Sequence, residues 1–398
     1  MLYDSFLQAQ ILAQEVERSP GRMFAYEDLL GLLEDTGLLD RASENLPAGD
    51  EITERRRAGR GMERPELSLL LTYAKRRVKL SLLESSLLDD PWLQRDLRGY
   101  FPQAVVERFG ELLARHPLRR ELLATINANL AVNALGPVFV SQIMAERGVR
   151  PAEVVKAYRI AREVVGAEAD WEAIEELEGK VEPEVQADLM GRVDMLVDAI
   201  TRWYLVEGAP GDLASTIEAG REGFLELAAA APGIGGDELQ KARREVAERF
   251  VAAGVPEDMA NSHSLRLGLV HAPAVAAVAR ATGRSVADVA RVFVAIGERL
   301  PLNELEEALG ALPASRRMER WALQAAREDA RRARWDIAER ALEGPQGGDP
   351  EEVLDAFLAA RSEECRRLGA FMRTLSREGE TDLAGLALAV RQLRELAE

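Results

Sequence analysis

The sequence has one cysteine, Cys365, and only three histidines in 398 residues. A single thiol cannot close an intramolecular disulfide or build a cysteine-based zinc site. His263 and His271 stand ~12 Å apart along a continuous helix, too far to share a metal unless that helix breaks. His116 directly precedes Pro117, at a helix boundary. No phosphate loop is present, and no serine or cysteine lies in a nucleophile-elbow sequence. No apolar run approaches the ~18 residues that span a bilayer. The N-terminal MLYDSFLQAQ lacks the basic-then-apolar order of a signal peptide. Basic surplus is missing too. A net charge of −17 argues against nucleic acid and against anionic membrane surfaces, because phosphate binding needs a strongly basic face. The cytoplasm is the expected compartment.

What the chain does have is apolar surface to bury: 47% of its residues are hydrophobic and 30% charged. Its length allows two or three domains at a rough ~100–200 residues each. Apolar residues recur at helical spacing nearly throughout, and alternation at period two is almost absent. The expected fold is therefore all-α, a multi-helix array without a Rossmann sheet. Leu67, Leu70, Leu71, Ala74 and Val78 fall on one helix face, and Leu69, Tyr73, Leu80 and Leu83 widen it. Asp90 before Pro91 reads as a helix start, a capping oxygen followed by proline at the first helical position. Glycine and proline punctuate the runs at GAPGD (208–212), APGIGG (231–236) and GPQGGDP (344–350), the last reading as a linker before two terminal helices over about 351–376 and 381–397.

An internal repeat is also expected. RGVRPAEVVKAYRIARE (147–163) resembles TGRSVADVARVFVAIGE (282–298), so that Gly148 meets Gly283, Glu153 meets Asp288 and Tyr158 meets Phe293. VVERF (105–109) resembles VAERF (246–250), and DWEAIEEL (170–177) resembles PLNELEEAL (301–309), in the same order. Two related halves, about 100–206 and 240–343, follow. The organisation expected is a lead-in over 1–60, a first helical unit over 61–206, a second over 207–343, and a linker with two helices over 344–398.

Candidate chemistry is sparse. GIGG (233–236) partly matches a dinucleotide fingerprint, but FLELAAAAP before it reads as a helix rather than the strand that motif requires, so an αα loop is expected. DDPWLQRD (89–96) has two aspartates of a magnesium-binding pattern, yet Leu93 stands where a third carboxylate is needed. The acidic run EAIEELEGKVEPE (172–184) reads as a solvated helix face. One polar feature is less ordinary. In LRRELLATINANLAVNALGP (118–137), Thr125, Asn129 and Asn133 recur every four residues in a helix apolar nearly all round. Such a helix is usually buried, so Asn129 and Asn133 should be buried and hydrogen-bonded, with Arg64, Lys75, Arg119 or the free end of another helix as candidate partners. A structural network, a surface meeting another domain and a ligand site all remain open for these asparagines. No catalytic, cofactor-binding or metal-ligating residue stands out.

GRGMERPELSLLLTYAKRRV, LLDDPWLQRDLRGYFP and HPLRRELLATINANLAVNALGPVFV together resemble the C-terminal helical region of the large bacterial NAD-dependent glutamate dehydrogenases. The resemblance is specific over about 50–206, ordered but weaker over 1–50 and 207–343, and thin beyond Gly344. Glu63 departs from it, standing where the family more often has a threonine that completes a cap three residues before Glu66. The resemblance implies a family that oxidises L-glutamate to 2-oxoglutarate and ammonia with NAD, in long homo-oligomeric chains. It also implies that the dinucleotide fold and the catalytic lysine precede the matched region, so no such residue carries over to this chain. Arg64, Pro65 and Glu66, Tyr73 and Lys75, Tyr100, Phe101 and Pro102, Arg119, Asn129, Asn133, Gly136 and Pro137 then become candidates for holding helices together or docking a catalytic domain. The expected role is a helical framework or regulatory part, inactive alone, whose partner is the catalytic domain in the same or a separate chain. A free-standing helical interaction protein derived from that region is the alternative.

Overall fold

The computed structural model describes every residue except 1, 210, 314–316, 344–347 and 379–381, and the side chains of all the rest but 2–11, 14, 317, 376 and 378. Most of the expected linker thus lies outside the described residues. Among those described the fold is all-α, with twenty α-helices, three short 3-10 segments and no strand. From the N-terminus run α1 (Leu2–Asp35), α2 (Gly49–Arg57), α3 (Arg64–Leu83), α4 (Asp96–Tyr100), α5 (Gln103–Leu113), α6 (Arg119–Leu135) and α7 (Phe139–Arg147). Next come α8 (Pro151–Val165), α9 (Ala167–Glu175), α10 (Pro183–Glu207), α11 (Leu213–Ala230), α12 (Asp237–Ala252) and α13 (Glu257–Leu269). The remainder are α14 (Ala272–Thr282), α15 (Val286–Arg299), α16 (Leu302–Ala311), α17 (Arg317–Leu342), α18 (Pro350–Ala360), α19 (Ser362–Glu378) and α20 (Leu383–Glu395). The single helix expected over 351–376 is broken at Arg361, the residue that follows α18. No single described helix is long and apolar enough to cross a membrane.

The chain forms two compact units, residues 1–163 with 197–217, and residues 164–196 with 218–398. In the first unit α3 packs along α6 and against α1. Leu67, Leu70, Leu71, Ala74 and Val78 are all buried on α3, as their spacing predicts, whereas Leu80 is exposed. The core there joins Tyr26, Leu29, Leu30 and Leu33 of α1 to Ile52 of α2 and Leu67 of α3. Pro20 sits inside α1, where its ring nitrogen cannot bond the carbonyl one turn back. That carbonyl, on Val16, accepts instead from Ser19 Oγ at 2.9 Å.

In the second unit α12 packs on α13, and α17 runs against α14, α15 and α20. GIGG runs from the last residue of a 3-10 turn (Ala231–Gly233) to the cap of α12, the helix-to-helix loop the sequence suggests. Gly148 after α7 and Gly283 after α14 both take the left-handed conformation (φ 69° and 68°), which stops each helix at little steric expense because glycine has no Cβ.

Candidate functional site

The string DDPWLQRD organises a polar cluster in the first unit. Asp90 caps the turn that Pro91 opens: its Oδ1 accepts from Trp92 N at 2.9 Å, and its Oδ2 accepts from Leu213 N at 3.1 Å. Trp92 then meets two guanidinium groups, those of Arg95 and Arg159, whose Cζ atoms lie 3.5 and 5.1 Å from its ring centroid. Arg159 is the bulkiest fully buried side chain among the described residues. Its Nη2 donates to Asp96 Oδ1 at 3.0 Å, and Asn127 Nδ2 donates to the other oxygen of Asp96 at 3.2 Å. Glu163 accepts an ion pair from Arg95 at 2.6 Å and stands 3.9 Å from Arg159. Burial lowers the pKa of Arg159, and the Asp96 carboxylate opposes that shift. The cluster is thus a buried charge held by one close carboxylate.

A second cluster explains the GRGMERPEL string. Glu66 is buried and takes a two-pronged pair from Arg55, Nη1 to Oε2 at 2.8 Å and Nη2 to Oε1 at 2.9 Å. The same carboxylate accepts from Glu63 N at 2.7 Å, so the start of α3 is closed from inside the helix. Met62 N donates to Ser19 Oγ at 3.0 Å, tying this segment to α1. Gly136 belongs to a third cluster. A Cβ there would stand 3.0 Å from Glu15 Oε1, and its φ of 81° disfavours any other residue. Glu15 is buried, accepts from Tyr26 Oη and pairs with Arg22 at 3.1 Å.

The other sequence candidates are scattered. Tyr73 Oη donates to Glu44, Lys75 is half-buried, and Arg64 and Pro65 are exposed at the start of α3. Phe101 stacks edge-on with the exposed Tyr100 at 5.5 Å and faces His116 at 5.8 Å, while Pro102 precedes α5 and Pro137 is buried. Arg119 pairs with Asp89 at 3.4 Å rather than with an asparagine.

The asparagine ladder needs correcting. Asn129 is only half-buried, and although Asn133 is buried its Oδ1 has no hydrogen-bond partner. The fully buried asparagine is Asn127, whose Nδ2 also donates to Leu123 O at 3.0 Å, although its Oδ1, like that of Asn133, has no partner. The helix buries Leu123, Ala124, Asn127, Ala128 and Ala131, a face that period-four spacing from Thr125 misses. Asn127→Leu is therefore expected to cost about 1–3 kcal/mol, since Asp96 loses a donor and stays desolvated. Asn133→Leu removes a buried oxygen that lacks a partner and should be neutral or stabilising. Urea unfolding of the two variants checks this, with the reverse ranking as the contrary result.

Among the described residues no group of three or more histidine, cysteine, aspartate or glutamate side chains is placed to hold a metal. The clusters join helices to one another. Comparison with known proteins gives them a family. The model for the C-terminal part of glutamate dehydrogenase matches residues 59–395. The chain belongs to that family. The NAD-specific glutamate dehydrogenase of Pseudomonas aeruginosa is 32% identical over 407 residues, covering 100% of this chain and 25% of its own length. That of Halomonas elongata is 31% identical over 406 residues, again 100% of this chain and 25% of its own length. The protein of the same name from Mycobacterium tuberculosis is 28% identical over 362 residues, 90% of this chain and 22% of its own. The chain thus spans about a quarter of the length of the family relatives it matches.

Proposed function

We propose that this chain is the helical C-terminal part of an NAD-specific glutamate dehydrogenase and serves as a framework or regulatory element rather than as the seat of the chemistry. The observation that carries this reading is the match of the whole chain to one quarter of the relatives' length. The interior charges support it, because Arg159 and Arg55 are engaged with carboxylates of neighbouring helices and Glu15 with partners inside α1. In this reading the catalytic part, in the same or a separate chain, oxidises L-glutamate with NAD in the cytoplasm, within a homo-oligomer. The flanks of α5 offer it a surface: Tyr100, Phe109, Leu112 and Leu118 are large apolar side chains left exposed. The repeat belongs to the same proposal, with α5–α10 and α12–α17 as two copies of one helical unit.

The chain alone is expected neither to reduce NAD with glutamate nor to bind NAD tightly, in a coupled absorbance assay and a calorimetric titration. Turnover above background, or a micromolar dissociation constant for NAD, would overturn the framework role. Added to the catalytic part of a relative, the chain should associate, and Phe109→Ser with Leu112→Ser should weaken that association at least tenfold. Both residues are exposed, so the fold should hold. Failure of the unaltered chain to associate favours the alternative, a free-standing helical interaction protein.

A further inference from the structure

The second unit contains a cavity of about 360 Å³, within the size range of small-molecule sites. Its walls are mainly apolar, with Val246, Leu267, Val275 and Phe293 among them, and the exposed side chains of Leu267 and Ala242 mark its rim. Three arginines reach it, against the single carboxylate of Glu306. Two of the three have a carboxylate partner. Arg192 pairs with Asp188 at 3.1 Å, and Arg334 pairs with Glu306 at 3.1 Å. His271 also lines the cavity, but burial and the nearby Arg334 and Arg331 hold its pKa well below 6.5, so it is neutral at pH 7.

Arg243 is the exception. Its Nη1 donates to the carbonyl oxygens of Ala231 at 2.7 Å and Ile234 at 2.8 Å, which fixes the guanidinium in place. Among the described residues it has no carboxylate partner. Partial burial lowers its pKa with no opposing charge. Its Nη2 lies against Gly268, only 3.5 Å from where a Cβ of that lining residue would stand, so no side chain of Gly268 covers it. An anchored guanidinium with a free edge, beside apolar walls and in a chain of net charge −17, lacks an anion. The Nε–Nη2 edge matches a carboxylate or sulfonate in a two-pronged pair. We propose that this cavity binds a small molecule with an apolar body and one anionic group, the anion seated on the free edge of Arg243.

Two dyes of similar shape test the site on the full chain: anilinonaphthalenesulfonate, which is anionic, and N-phenylnaphthylamine, which is neutral. One molecule of the anionic dye should bind per chain, and octanoate should displace it at a concentration at least tenfold lower than octanol. Arg243→Gln should weaken the anionic dye at least tenfold and leave the neutral dye within twofold. Ala242→Trp, at an exposed rim position, should weaken both. Equal weakening of both dyes by Arg243→Gln, or equal displacement by octanoate and octanol, overturns the anion assignment. Indifference of both dyes to Ala242→Trp overturns the cavity itself. The octanoate comparison uses no variant, so it decides the charge question even if Arg243→Gln fails to fold.

Discussion

Replacing Asp96 by alanine is expected to lower the stability of the protein by about 3–5 kcal/mol. The magnitude follows from what would be left behind. The Arg159 side chain is 1% exposed, and Asp96 is its one close carboxylate, at 3.0 Å. Without Asp96 the nearest carboxylate is Glu163, at 3.9 Å and already paired with Arg95. A guanidinium has no useful neutral form, so it cannot escape by losing its proton. Asn127 would also lose its acceptor on Asp96. Asp96→Asn keeps the shape and one acceptor oxygen, so it should cost less than alanine. Asp96→Ala combined with Arg159→Met removes the stranded charge and should recover a large part of the loss, because apolar replacement of a buried pair is often neutral. Urea unfolding measures all three. If Asp96→Ala costs under about 1 kcal/mol at an unchanged denaturant slope, the pair is not held as described.

Gly61→Ala should cost about 3 kcal/mol, from crowding together with a damaged hydrogen bond. An ideal Cβ at Gly61 would fall 1.9 Å from Ser19 Oγ and 2.8 Å from both Cδ and N of Pro20. Ser19 cannot simply turn away, since its hydroxyl accepts from Met62 N and donates to Val16 O. The Pro20 nitrogen is backbone and moves only if α1 moves. Adding Ser19→Ala should therefore rescue Gly61→Ala only in part, because the clash with Pro20 remains. Gly99, inside α4, is the control: a Cβ there meets nothing within 4 Å, so Gly99→Ala should be neutral or slightly stabilising. Thermal unfolding of the two single variants separates them, and similar melting temperatures would refute the close approach of α1 to residue 61.

Much of this molecule was legible without coordinates, and the reason is local. Helical periodicity, the Asp90–Pro91 start and the loop at GIGG each depend on a few consecutive residues. So does the buried stripe of α3, where leucines on one side face polar residues on the other. The family strings are local as well, which is why they pointed to the glutamate dehydrogenase family before any side chain was placed.

Other features needed the tertiary structure. On α6 the apolar residues surround the helix, so no period selects a face, and the choice of Asn127 over Asn129 was made by the approach of Asp96. Arg159 lies 63 residues from Asp96, and Met62 lies 43 from Ser19. Nothing near either residue names its partner. Arg243 looks in the sequence like any other helix-surface arginine, and only the carbonyls of Ala231 and Ile234 and the bare backbone of Gly268 turn it toward a cavity. By itself the sequence determined the all-α class, a few helix boundaries and the family, because backbone preference and periodicity act within one or two turns. Which charges are buried together, which glycines cannot change and where the cavity lies were decided by tertiary packing, because each depends on atoms brought close from distant parts of the chain.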